Sequence, residues 1–409
     1  MRITLSTPRQ MHAMLAARLL LDEGHDVSLY TSTPRKRLRG DSTGLRHHLQ
    51  PKLTEIYTQI TQTRINVPLD SLDGQLYDYS VATRLGFGAP PDIFYGWAGV
   101  SLASGQAAHA RGGKFALDRA CPFVTYQEDL VLAEAEKVGF RARRRPVWCE
   151  HRQLAEYEEA DAIVVPSGYS GGTFPQRLQP KIICAPLWGR VKAPESVPVK
   201  DPNRPFTVGV VGGDAIRKGY LYLLRAWKNL GLKNAQLLLR YGAGFKEYPV
   251  LDDLMRSLPN VEQVRYVPDI SDFYNRCDVF VLPSVDDGFG MVIFEAMAHG
   301  LPTIATTHCG ASELAVNGSE ALIVPPFRED ALAEALLRLH QSPALRRQLG
   351  DNGRLRAEQL QQAGPRGLYG QGIHEMLRRL GPAGQQVSES ASQQVSESAS
   401  QQAGARGHV

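Results

Sequence analysis

FTVGVVGGDAIRKGYLYLLRAWKNLGLKNAQLLLRYG, residues 206–242, reads as strand, helix and strand in succession. The apolar, β-branched run FTVGVV ends in Gly212-Gly213, a helix follows over KGYLYLLRAWKNLG, and AQLLLRYG is the second strand. A strand that returns through a helix to another strand builds a right-handed parallel crossover. Downstream, PVLDDLMRSLP, VEQVRYVP, ISDFYNRC and DVFVLPS continue the alternation, and PTIATT and ALIVPP add two more strands. Two helices close this half, over REDALAEALLRLHQSP and ALRRQLGDNGRLRAEQLQQ.

Upstream the same pattern appears independently. RITLST, HDVSLYTS, DIFYGW (92–97), KFALD (114–118) and AIVVPS (162–167) read as strands. MHAMLAARLLLDEG, SLASGQAAHARG and WCEHRQLAEYEEA read as helices. Between the halves lies PLWGRVKAPESVPVKDPNRP (186–205), whose five prolines mark a linker. We therefore expect an α/β chain of two Rossmann-like domains facing a cleft, over 1–185 and 186–360. A helix over 361–381 could cross back to the first domain. Residues 382–409 hold two copies of QQVSESAS and too few large apolar groups to offset ordering entropy, so a disordered tail is expected.

The chain has 409 residues, 43% hydrophobic and 22% charged, which suits a globular protein with full cores. No run approaches the roughly 18 apolar residues of a membrane span, and MRITLSTPRQMHAM lacks a secretory pattern, so a cytoplasmic location is expected. Cys121, Cys149, Cys184, Cys277 and Cys309 form no Cys-x-x-Cys pair, and no metal site is expected. The net charge of +4 does not argue for nucleic acid. The basic runs TPRKRLRG (33–40) and FRARRRPVW (140–148) suit solvated loops. They also suit peripheral contact with an anionic membrane on its inner face, with Phe140 and Trp148 as anchors.

In open parallel sheets ligands sit at the carboxyl ends of strands. After FTVGVV, Gly212 and Gly213 allow close backbone approach to a phosphate, and the adjacent cations Arg217 and Lys218 suit a diphosphate. An ordinary helix start with surface cations fits the same residues. The glycines at 209, 212 and 213 do not spell GxGxxG, which disfavours a nicotinamide cofactor, and Lys218 precedes Gly219, so this is no Walker loop. In DDGFGMVIFEAMAHG, Gly288, Phe289 and Gly290 form a tight turn that would point the N–H groups of Gly290, Met291 and Val292 outward. Asp287 precedes the turn, where a plain N-cap acid is also common. Glu295 stands among Ile293, Phe294, Ala296, Met297 and Ala298, so its carboxylate needs a partner. Glu313, in THCGASELAVNGSEALIVPP, reads as an acid complementing a helix dipole.

Together these segments resemble the family-4 retaining glycosyltransferases of the GT-B fold (glycosyl transferases group 1). The resemblance is strongest over 205–326 and weaker in HARGGKFALDRACPFVTYQEDL and EYEEADAIVVPSGYS. It implies that a sugar passes from a nucleotide diphosphate, UDP- or GDP-linked, to a glycan, lipid-linked or small-molecule hydroxyl. It implies no cofactor and no metal, and same-face attack with retention. The family's paired acids fall on Asp287, near the donor sugar, and Glu295, at the ribose. Its phosphate-binding Lys falls on Lys218, and its Arg falls on Gly213, so Arg217 would substitute. Tyr241-Gly242 and Tyr266-Val267 match places where relatives hold the nucleobase. On the acceptor side Asp118 is the catalytic candidate, with His12, Tyr95 and Arg119 weaker ones. His109 reads as structural, and a salt bridge is the bland reading of Asp118 and Arg119. A silent nucleotide-sugar-binding protein, or an epimerase or phosphorylase of the same fold, is the alternative.

Overall fold

The computed structural model describes residues 1–9, 12–38, 42–50, 69–187, 194, 201, 203–241, 245–264, 267–364 and 366–382. Most of the proline-rich segment, the QQVSESAS repeats, Arg39 and Gly40 of the first basic run, Gly242 and Tyr266 lie outside them.

The first half runs β1 (Arg2–Ser6), α1 (Ala13–Asp22), β2 (Asp26–Thr31), β3 (Arg46–Leu49), α2 (Leu69–Phe87), β4 (Ile93–Trp97), α3 (Leu102–His109) and β5 (Lys114–Asp118). It continues with α4 (Val124–Lys137), α5 (Val147–Glu159), β6 (Ala162–Val165), α6 (Gly168–Gly172) and β7 (Ile182–Cys184). All seven strands are parallel, in the order β3-β2-β1-β4-β5-β6-β7.

The second half runs β8 (Phe206–Val211), α7 (Tyr220–Leu230), β9 (Ala235–Arg240), α8 (Pro249–Arg256), β10 (Val261–Gln263), α9 (Ile270–Arg276) and β11 (Val279–Leu282). Then follow α10 (Val292–Ala298), β12 (Thr303–Thr306), β13 (Leu322–Val324), α11 (Glu329–Gln341), α12 (Pro343–Ala363) and α13 (Leu368–Leu380). Its six parallel strands order as β10-β9-β8-β11-β12-β13. In each sheet the order reverses direction once, at β1/β4 and at β8/β11. A crevice opens at such switch points because neighbouring crossovers leave on opposite faces. α7 is typical of the local logic: Leu223, Leu224 and Trp227 are buried, and Gly231 ends it in a left-handed turn (φ +53°).

The structure adds elements that the sequence reading lacked. β3, β7 and α2 were not foreseen. Nor was α4, whose sequence VTYQEDLVLAEAEK has no clean apolar stripe. Val124 at its start is buried in the first half's core, whereas Ala135 at its end and Val138 beyond it are buried in the core of the second half, where Glu134 and Lys137 meet Tyr222 of α7. Phe140 belongs to the same contact, its ring 5.1 Å from Tyr248, so it is not available as a membrane anchor. Within the 361–381 segment, where a helix was expected, α13 buries Tyr369, Ile373, Met376 and Leu377 in the first half's core beside Ile3, Ala17 and Ile93.

Candidate functional site

The loop after β8 is set by Asp214. Its Oδ1 accepts the N–H groups of Ile216 (3.2 Å) and Arg217 (3.0 Å), and its carbonyl accepts that of Lys218 (2.9 Å). Gly219 is left-handed (φ +67°), and a β-carbon there would lie 2.0 Å from the Pro283 carbonyl, so this turn packs directly on the exit of β11. The Arg217 carbonyl accepts N–H groups of Val285 (2.9 Å) and Asp286 (3.3 Å). The two loops of the switch point are thereby stitched together, cations against carboxylates. Arg217 Nε lies 2.8 Å from Asp286 Oδ2, and Lys218 Nζ pairs with Asp287 Oδ2. Burial opposes the Arg217 charge, but Asp286 outweighs it, so the guanidinium is held cationic.

Asp287 bonds outward through its backbone, its N–H to His308 (2.9 Å) and its carbonyl to the Gly310 N–H (3.1 Å). Gly290 is left-handed (φ +85°) and has no room for a β-carbon beside Cys309. The first α10 bond runs from Ile293 N–H to Gly290 O (3.0 Å), so the N–H groups of Met291 and Val292 precede the helical ladder. Phe289 is buried with its ring 5.9 Å from Phe294, and only its backbone belongs to the turn. Glu295 has a partner: Tyr274 on α9 donates to Oε2 at 2.8 Å, and burial plus that carboxylate push the phenol pKa up. Gly213 faces open space, whereas a β-carbon at Gly212 would meet the Lys218 stem at 2.5 Å.

Across the cleft Asp118 ends β5, nearly buried. Its Oδ2 accepts Tyr95 OH (2.7 Å) and meets His12 Nε2 (2.8 Å). The His12 ring lies 5.4 Å from Trp97 and 6.2 Å from Tyr369 of α13. Tyr95 is fully buried and is therefore a support for Asp118 rather than a wall of the cleft. Arg119 does not pair with Asp118; it donates to Pro122 O (3.0 Å) and Gln127 Oε1 (3.1 Å). His109 is held between Glu159 (2.8 Å) and Asp161 (2.7 Å); burial lowers its pKa, but the two carboxylates prevail and raise it.

The side chains of three further candidates are held by neighbours. The Tyr241 ring stacks on Phe245 at 5.0 Å inside the core, so only its backbone reaches the loop. Val267 packs half-buried against the cluster around Phe273. Glu313 lies in the first turn of the short helix Gly310–Leu314, and its carboxylate also reaches across the cleft to the first N–H groups of α6, those of Gly168 (2.8 Å) and Tyr169. Ser167 Oγ also crosses, to Gly288 O (2.8 Å). Asp286, Gln127, Tyr169 and Tyr274 were missed. The doubled Asp286-Asp287 was the available signal for the first; Gln127 and Tyr169 lie in the two segments of weaker resemblance, and Tyr274 in ISDFYNRC, which carries no motif.

Residues 205–342 match the model of the family glycosyl transferases group 1. Over that stretch the chain is similar to this family. Over 160 residues the chain is 33% identical to the capsular polysaccharide biosynthesis glycosyltransferase CapM of Staphylococcus aureus, covering 38% of this chain and 42% of that protein. The chain thus matches about two fifths of the length of that curated relative. The fold extends the likeness. Sucrose-phosphate synthase from Thermosynechococcus elongatus superposes with TM-score 0.69 at 21% identity, over 92% of this chain and 98% of that one. HepE of Anabaena, solved in complex with UDP, superposes with TM-score 0.62 at 14% identity, over 92% and 100%. The two facing sheets are therefore a GT-B fold. Among the described residues no helix is long and apolar enough to cross a membrane.

Proposed function

We propose that the chain transfers a sugar from a nucleoside-diphosphate sugar to an acceptor hydroxyl with retention, in the building of a polysaccharide or other glycoconjugate. One observation carries this: Arg217 and Lys218 stand at the β8/β11 switch point, each beside a carboxylate, inside the stretch that matches the glycosyl transferases group 1 model. The leaving diphosphate gains charge as the glycosidic bond breaks, and preorganised cations stabilise that charge most where water is excluded. Arg217, Lys218 and the backbone N–H groups at 290–292 would face it, and Glu295 would accept from the ribose. Asp287 would accept from the sugar once the diphosphate draws Lys218 away. Retention follows if the departing phosphate oxygen takes the acceptor proton on the same face. The reading calls for no resident cofactor or metal. UDP, found in the Anabaena neighbour, is the first nucleotide to try, with GDP beside it.

The test is a thermal-shift screen of nucleoside diphosphates and their sugars, followed by product analysis. A bound native state melts higher by linkage. Lys218→Ala and Glu295→Ala should each lower turnover by about 100-fold or more, the scale of one lost transition-state contact. Near-normal kinetics in both variants would sink the donor-site assignment.

A membrane-borne acceptor is the version that the surface supports. Val147 and Trp148 are exposed next to Arg143 and Arg144, and Arg152 covers the exposed Tyr79 ring at 5.9 Å, joining this patch to Leu72 and Leu76 of α2. Cosedimentation with anionic vesicles, lost in Trp148→Ala or at high salt, checks it.

A further inference from the structure

Asp286, next to the expected sugar-side acid, has no exposed surface and sits where the two halves meet. Its Oδ2 accepts Arg217 Nε at 2.8 Å and Gln127 Nε2 at 2.6 Å, and its Oδ1 accepts Tyr169 OH at 3.3 Å. Arg217 precedes α7 in the second half, whereas Gln127 on α4 and Tyr169 on α6 come from the first. Both visitors are themselves fixed. Gln127 Oε1 accepts from Arg119 at 3.1 Å, and the Tyr169 ring stacks on His308 at 4.8 Å and 25°. The Tyr169 phenol pKa is raised by burial and by Asp286, so it remains a donor.

A buried carboxylate needs several donors. With three, Asp286 engages only the Nε of Arg217, and the terminal nitrogens of the guanidinium can meet an anion. Without Gln127 and Tyr169, the same carboxylate would be best satisfied by taking the guanidinium fork in a bidentate pair. That pairing would turn Arg217 away from the diphosphate.

We infer that Asp286 is a positioning residue: it sets Arg217 for the donor diphosphate only while Gln127 and Tyr169 of the opposite domain are docked on it. Diphosphate binding by one domain then depends on contact with the other. The inference rests on the donor-site reading proposed above.

The experiment is calorimetric titration of the full chain with UDP and UMP, and with GDP and GMP. The proteins are the parent, Gln127→Met and Tyr169→Phe, whose replaced groups bond Asp286 and not Arg217. Each variant should bind the diphosphate about 10-fold more weakly, the order expected for a lost hydrogen bond to a charged group. Monophosphate affinity should stay within about twofold by the same conversion. In an Arg217→Met background, Gln127→Met should have no further effect, because the two substitutions act through one group. Equal losses for mono- and diphosphate, unchanged diphosphate affinity, or a full effect persisting without Arg217 would each overturn the inference. Tyr169→Phe preserves the ring stack on His308, so it stays informative if Gln127→Met disturbs packing. Failure of the parent to bind any of the four nucleotides would remove the donor-site reading, and this inference with it.

Discussion

A β-carbon at Gly288 would lie 2.1 Å from the Ala120 carbonyl, an atom of the opposite domain. This glycine is thus required by the approach of the other half and not by its own backbone angle. Gly288→Ala should force the halves apart: the donor KM should rise and kcat fall, with the melting temperature of the isolated second half unaffected. A variant with parental kinetics would show that the approach is not needed for turnover. Gly213 is the opposite case, since nothing lies within 4 Å of a β-carbon there. Gly213→Arg, which restores the cation that the family resemblance places at this position, should leave the melting temperature unchanged and tighten diphosphate binding. Weaker binding would mean that Arg217 already occupies the anion's place. Lys218 and Asp287 were legible as residues because a strand, a glycine pair and a cation make a phosphate loop recognisable. Their mutual pairing was not, since 69 positions separate them in the chain.

At the scale of elements, two buried carboxylates anchor the start of α3. Asp78 accepts the N–H groups of Ala103 (2.8 Å) and Ser104 (2.9 Å), and Glu156 on α5 accepts those of Gly99 (2.5 Å) and Ser101 (2.8 Å). Arg152 pairs with Asp78, and burial pushes the Glu156 carboxyl up to about 7 against its two donors. The folded state therefore keeps a proton that the unfolded chain, with a value near 4.5, gives up. Stability from this group is fully present below the unfolded value and is lost as pH rises through the folded one. Glu156→Gln should flatten that decline between about pH 5 and pH 7.5, as read by melting temperature against pH. Parallel curves for parent and variant would show that Glu156 is ionised throughout. Helix α4 marks where sequence reading stops at this scale. Its Glu134 is nearly buried, accepts Tyr222 OH at 2.8 Å and pairs with Lys137 at 2.6 Å, so a residue that reads as solvated surface is part of an interface. Periodicity finds faces that are apolar, and this face is satisfied by polar partners brought by the other domain.

For the whole molecule, the chain crosses between the two sheets once after β7 and again before α13, and α13 completes the first core. Ile373 is fully buried there, so Ile373→Ala should cost about 2–5 kcal/mol in urea unfolding. Amides of β1 and β4 should then exchange faster than those of β8 and β11. A loss below about 1 kcal/mol would mean that the helix merely rests on the surface. The sequence by itself determined the two runs of alternating strand and helix, hence two parallel sheets, and the loops at their carboxyl ends. Those are local consequences of apolar periodicity, glycine and charge. Only the tertiary structure decided what joins them: Asp286 between Arg217, Gln127 and Tyr169, Glu313 on the N–H groups of Gly168 and Tyr169, Gly288 against Ala120, and the end of α4 in the neighbouring core. These pairings depend on how one domain is set against the other, and no pattern within a short stretch of chain carries that orientation.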